Sequence, residues 1–95
     1  MLKNNSFRKT VTSAGTAEKL HASLSVKSFV IRALESNTGI VYLGSSGVTS
    51  ANGFELPPGG SITEDFFEGS PITLTDLWLD VVVSGEGVSV LYLGR

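Results

Sequence analysis

One histidine, no cysteine and nine carboxylates are the groups from which this 95-residue chain could build chemistry. His21 stands in a polar stretch, Ala17-Glu18-Lys19-Leu20-His21-Ala22. A Ser-His-acid triad needs a serine and an acid held against the imidazole, and no nucleophile elbow supplies that frame. His21 is therefore read as a solvated surface histidine. A zinc site would have to be completed by carboxylates alone, since neither cysteine nor a second histidine is present. The carboxylate pairs are Glu64-Asp65 and Asp76 with Asp80. In an extended segment Glu64 and Asp65 point to opposite faces. Asp76 and Asp80 share a face but stand roughly 13 Å apart along a strand, which is too far for joint acid–base work. Both are read as solvated carboxylates, and no loop signature makes either a calcium ligand. Gly44-Ser45-Ser46-Gly47 and Gly59-Gly60 do not open a helix, so they are turns and not phosphate cradles. No enzyme activity, no metal and no cofactor is expected.

The elements that would carry these residues are strands. Residues 27–34 place Phe29, Ile31 and Ala33 on one face and Val30, Arg32 and Leu34 on the other, the period of a half-buried strand. Residues 40–43 are β-branched and aromatic. Glu35-Ser36-Asn37-Thr38-Gly39 between them is expected to be a hairpin loop, with Asn and Gly at the φ > 0 positions, so strands 27–34 and 40–43 should pair antiparallel. Residues 44–53 are a surface excursion with tight turns. Phe54 and Leu56 form an apolar anchor on one face, and Pro58-Gly59 predicts a type II turn. Residues 61–67 read as an edge strand guarded by Glu64 and Asp65, followed by a loop at 68–71 and a short extended piece at 72–74. Residues 76–83 form the strongest strand, with Leu77, Leu79, Val81 and Val83 toward the core and Trp78, Asp80 and Val82 opposite. Gly85-Glu86 suits a type II′ hairpin into a last strand at 88–93. At the other end, residues 1–6 are expected to be disordered and 7–12 to be a weak strand; 17–22 could be a helical turn or extended. Short strands separated by turn chemistry predict an all-β fold: a small antiparallel β-sandwich, jelly-roll-like, in a single domain. The division is a partly disordered arm or first strand at 1–12 and the sandwich at 13–95.

Bulk composition narrows the partners. Charged residues make up 17% of the chain, against about 25% in an average soluble domain. So few charges on a small domain leave either a neutral Gly/Ser/Thr surface or apolar surface hidden against another chain. Cations cluster in the first third (Lys3, Arg8, Lys9, Lys19, Lys27, Arg32) and acids in the remainder. Six scattered cations are not the dense basic patch that nucleic acid requires. No apolar run follows Lys3, so no signal peptide is expected, and no window approaches the ~20 apolar residues of a membrane span. Trp78 and Val82, outward-facing beside Asp80, are candidate interface anchors. Arg8 and Lys9 are candidates for a basic arm meeting an acidic partner. Deleting 1–12 should then abolish docking and leave the domain folded.

Asn37-Thr38-Gly39, Val41-Tyr42-Leu43-Gly44, Val48-Thr49-Ser50, Asn52-Gly53-Phe54-Glu55-Leu56 and Pro58-Gly59 together carry a resemblance. From about Val26 to its end the chain resembles small proteins encoded in the structural-gene clusters of tailed bacteriophages. The resemblance implies a virion accessory protein: a capsid decoration or cement protein, a head-fibre base or a tail module, built as a small β-sandwich and assembled as a homotrimer. The expected function is structural and non-enzymatic, in the virion, with partners among its own copies and the major capsid protein. The alternative is a carbohydrate- or receptor-binding module of a fibre or tail, stacking sugars on Trp78, Tyr42 and Tyr92.

Overall fold

The alternating and β-branched segments do form strands, and their pairing follows one rule. The computed structural model describes residues 3–22, 24–65 and 72–94. Within them run β1 (Lys3–Thr10), β2 (Glu18–Lys19), β3 (Ser25–Val26), β4 (Ser28–Ala33), β5 (Val41–Gly44), β6 (Phe54–Leu56), β7 (Ser61–Asp65), β8 (Ile72–Thr73), β9 (Trp78–Val81) and β10 (Gly87–Gly94), with one 3-10 turn at Leu74–Asp76. First pairs with last and so inward: β1 with β10, β2 with β9, β3 with β8, β4 with β7 and β5 with β6, all antiparallel. The chain is thus one long hairpin with its tip at residues 45–53. Two further pairings, β10 with β4 and β5 with β9, roll that hairpin up. The result is a four-stranded sheet A in the order β1-β10-β4-β7, facing a four-stranded sheet B in the order β2-β9-β5-β6. An eight-stranded double sheet wound from a folded-over hairpin is the jelly-roll form of the antiparallel sandwich. The expected fold class is the one observed.

The core lies between the sheets. Sheet A contributes Phe29, Ile31, Ala33, Val88 and Val90; sheet B contributes Val41, Leu43, Leu56, Leu79 and Val81. Val11, Leu20, Val26 and Leu74 close the gaps between them, all essentially solvent-free. The alternation of apolar residues in 28–33 and 88–92 fixes which face turns inward, because a one-residue slip would put every one of these side chains in water.

Several local expectations give way to this winding. Strands β4 and β5 do not pair: β4 lies between β10 and β7, and β5 between β9 and β6. Residues 34–40 cross between the sheets instead of turning a hairpin. That crossing is fastened from outside: the Leu34 N–H donates to the Gly87 carbonyl at 3.1 Å, and the Asn37 side-chain amide donates to the same oxygen at 2.8 Å. Gly39 does not have positive φ; a Cβ there would stand 3.0 Å from the Val82 Cβ, so close approach is what calls for glycine. Likewise β9 and β10 belong to different sheets. The turn joining them runs from Val83 to Glu86, closed by the Glu86 N–H to the Val83 carbonyl at 3.2 Å. Gly85 has φ +88° at the third position, which makes it a type II turn and not the expected type II′.

Other expectations hold or shift by position. Gly59 has φ +79° and the Gly60 N–H reaches the Pro57 carbonyl at 2.7 Å, the type II turn expected at Pro58-Gly59. β7 is an edge strand as expected; Phe66, Phe67 and the 68–71 loop lie outside the described residues. Residues 3–6, expected to be disordered, form the first half of β1 against β10. Val83, expected in the core, is 39% exposed, because β9 ends at Val81. Phe54 and Leu56 share a face, but only Leu56 is buried; Phe54 is 58% exposed where β6 runs off the edge of sheet B.

Candidate functional site

Sheet A turns one face to the core and leaves the other open. Since Phe29, Ile31, Val88 and Val90 point inward, their alternates Ser28, Val30, Arg32, Ser89, Leu91 and Leu93 point out. Register sets them in rows. Ser6, Leu91, Val30 and Thr63 lie side by side across four strands, and Asn4, Leu93, Ser28 and Asp65 lie in the next row. Leu91, in the centre, is 52% exposed. Serine, threonine and asparagine border three aliphatic side chains, with Arg8 and Arg32 in the row on one side and Asp65 in register with Ser28 on the other. This face is carried on four paired strands.

Beside that apolar centre runs a third row, Arg8, Ser89, Arg32 and Ser61. It borders a shallow cleft of about 190 Å³ lined by Arg8, Arg32, Ala33, Leu34, Glu35 and Ser89. The two arginines stand on either side of β10, so their backbones are two strand spacings, about 10 Å, apart. Arg32 is ion-paired with Glu35 and its Nε donates to the Gly59 carbonyl at 3.4 Å. Arg8 is exposed and has no ionic partner among the described residues. The cleft can hold a small anion between two guanidinium groups, with Ser89 between them in the same row.

The five side chains singled out from the sequence are not brought together. Arg8 alone lies on this face. Lys9 alternates to the inner side of β1, where its ammonium donates to Glu18 Oε1 at 2.7 Å and ties β1 to β2. Val82 is 53% exposed beyond the end of β9. Trp78 lies on the outer face of sheet B, half-buried, with the Lys19 ammonium 5.9 Å from its ring centroid. Asp80 is not the solvated carboxylate expected: it is 4% exposed on the same outer face. The loop at 13–16 covers it, and its Oδ1 accepts from the Gly15 N–H at 2.9 Å and from the Val81 N–H at 2.8 Å. His21 is also less open than expected; its ring meets Phe7 edge-to-face at 5.2 Å. The residues missed are Arg32, Ser89 and Leu91. Arg32 and Leu91 were legible as outward positions of their strands, but only the β1-β10-β4 order sets them beside Arg8.

A second feature escaped the sequence. The Glu86 carboxylate gathers the Thr38 N–H at 2.7 Å, the Thr38 hydroxyl at 3.0 Å and the Gly39 N–H at 3.0 Å. Burial pushes its pKa up, but these donors outweigh that and leave it below the ordinary 4.5. Glu18 is also lowered, by its hydrogen bond from Lys9 first and by the Thr12 N–H next. Both carboxylates hold chain crossings in place. Among the described residues no three His, Asp or Glu side chains gather as metal ligands.

Fold and surface together define a class: a two-sheet antiparallel jelly roll whose outer face on sheet A carries an exposed Leu91 and a paired-arginine cleft. No protein family, no curated protein and no solved structure matches this chain.

Proposed function

We propose that this chain is a non-enzymatic structural protein of a tailed-phage virion, a capsid decoration or cement protein that works as a homotrimer. The observation that carries the reading is the outer face of sheet A. An exposed Leu91 flanked by Val30 and Leu93, bordered by serine, threonine and asparagine with Arg8 and Arg32 in the next row, and held on four paired strands, has the make-up of a protein-binding surface: an apolar centre with a polar rim. Rigid strands lose little conformational freedom on docking, which favours adhesion to another folded surface. The jelly roll itself is shared by viral coat and lectin domains, so it is compatible with the reading without selecting it. Bridging neighbouring capsid subunits would add contact area that resists internal pressure. The sugar-binding alternative finds less support, because its aromatic residues are dispersed. Tyr42 is buried on sheet B, Trp78 is half-buried there under Lys19, and Tyr92 packs edge-to-face on Phe7 at the inner side of sheet A.

Light scattering after size exclusion, together with mass spectrometry of purified particles, tests the proposal. A concentration-independent trimer, and this chain present in particles at copy numbers commensurate with the capsid protein, are expected. Its absence from particles would refute the virion assignment, and a monomer across the whole concentration range would refute the trimer.

A further inference from the structure

We propose that the cleft between Arg8 and Arg32 is a carboxylate-binding site, and that its occupant is an acidic side chain of the protein on which sheet A docks. This rests on the reading of that face as a docking surface and adds the chemistry of the partner. Arg8, Ser89 and Arg32 are in register on three adjacent strands and all point away from the core. The cleft between them is small, about 190 Å³. One carboxylate is already at its mouth: Glu35 of this chain pairs with Arg32. The site is therefore half filled from within, and Arg8 is the guanidinium left without an ionic partner among the described residues.

Charge decides the class of anion. Two arginines and one glutamate leave the site with a single net positive charge. A carboxylate matches that charge, whereas a phosphate dianion would bring excess negative charge against Glu35, and a nucleic-acid backbone needs a far denser basic surface. Guanidinium groups also bind carboxylates in a fixed, two-pronged geometry. An incoming acid would bridge Arg8 and the Ser89 hydroxyl while sharing or displacing Glu35 at Arg32. The contact is exposed to solvent, so its contribution lies mainly in orientation and association rate.

The test is an NMR titration of the full-length protein at low salt with a blocked hexaglutamate peptide, against a hexaserine peptide and inorganic phosphate. Shifts confined to Arg8, Arg32, Glu35 and Ser89 are expected with hexaglutamate only. R8Q and R32Q should each weaken binding by about 1.5- to fivefold, the range for exposed ion pairs. E35Q should strengthen it by a similar factor, because it releases Arg32. The circular dichroism spectrum and melting profile of each variant check that it is folded. Shifts spread evenly over Lys3, Lys19 and the cleft, equal binding by R8Q, or tighter binding of phosphate would overturn the site. The docking reading fails differently. Peptide binding in the cleft together with no binding to particles would support the site and refute the virion assignment. Particle binding undiminished in the R8Q/R32Q double variant would refute the site and leave the docking face in place.

Discussion

Asp80 carries a charge that the fold has taken out of water and satisfied with backbone donors. A buried carboxylate accepting two N–H groups is held by charge-assisted hydrogen bonds, and removing it strands both donors. Asp80→Ala is expected to destabilise by about 1–3 kcal/mol, and Asp80→Asn by less, since its amide oxygen can still accept from Gly15 and Val81. Urea unfolding of the two variants checks the order; an alanine variant as stable as wild type would contradict it. At the same scale, Glu18 and Glu86 contribute to the acid limb of stability. Both have folded-state pKa values below the ordinary 4.5. Their stabilisation is therefore fully present above 4.5 and drains away as pH falls through the lowered folded values. The urea midpoint should be flat with respect to these two groups from neutral pH down to about 5 and should fall below that. Glu86→Gln should reduce the steepness of that fall, measured as midpoint against pH; an unchanged slope would contradict the role of the Thr38 and Gly39 donors.

Between elements, the start of β10 is where the winding is locked. Gly87 faces Thr10 across the β1-β10 ladder, accepts from Leu34 and Asn37, and has no room for a side chain. A Cβ there would sit 2.0 Å from the Lys9 carbonyl oxygen and 2.7 Å from the Thr10 Cα. Backbone cannot yield as a flexible side chain does, so Gly87→Ala is expected near the upper end of the about 1–3 kcal/mol typical of overpacking. That corresponds to a fall in Tm of about 4–8 °C per kcal/mol, read by thermal denaturation. An unshifted Tm would mean that β1 does not lie against β10 as described. This is also the level at which the sequence was hardest to read. The faces of 28–33 and 88–92 were plain from their alternation, and the Pro58-Gly59 turn from its chemistry. Which strand lies beside which was not. Strands close in sequence are the usual partners, and Asn37-Thr38-Gly39 carries the residues of a hairpin turn. What overrides that preference is a set of contacts made across 47 to 50 residues, from Glu86 and Gly87 to Asn37, Thr38 and Gly39. No local window contains both halves of it.

For the whole molecule, the nested pairing means that the first strand is part of the body. Phe7 packs against the core, Val11 is fully buried, and β1 is paired along all eight of its residues. Deleting residues 1–12, expected from the sequence to leave the domain folded, should instead remove an edge of sheet A and uncover Val88 and Val90. With a total stability of only about 5–15 kcal/mol, the truncated chain should show no cooperative thermal transition; a sharp melt near that of the full chain would contradict this. The candidate site was legible in part. Arg8 was noticed for its charge, whereas Ser89, Leu91 and Arg32 acquire their meaning only when three strands from distant parts of the chain become neighbours. The low charge content left a neutral surface and a hidden apolar one equally open; of the exposed large apolar side chains, Leu91 lies on the outer face of sheet A, and Phe54, Val82 and Val83 lie elsewhere. The most direct measurement is co-sedimentation of wild-type protein and a Leu91→Glu variant with phage heads prepared from a genome lacking this chain's gene. Leu91 is exposed, so the variant should fold. Saturable binding by the wild type at a ratio set by capsid symmetry, and its loss in the variant, are the expected results. No wild-type binding, or equal binding by both, would contradict the assignment of sheet A as the docking face of a virion protein.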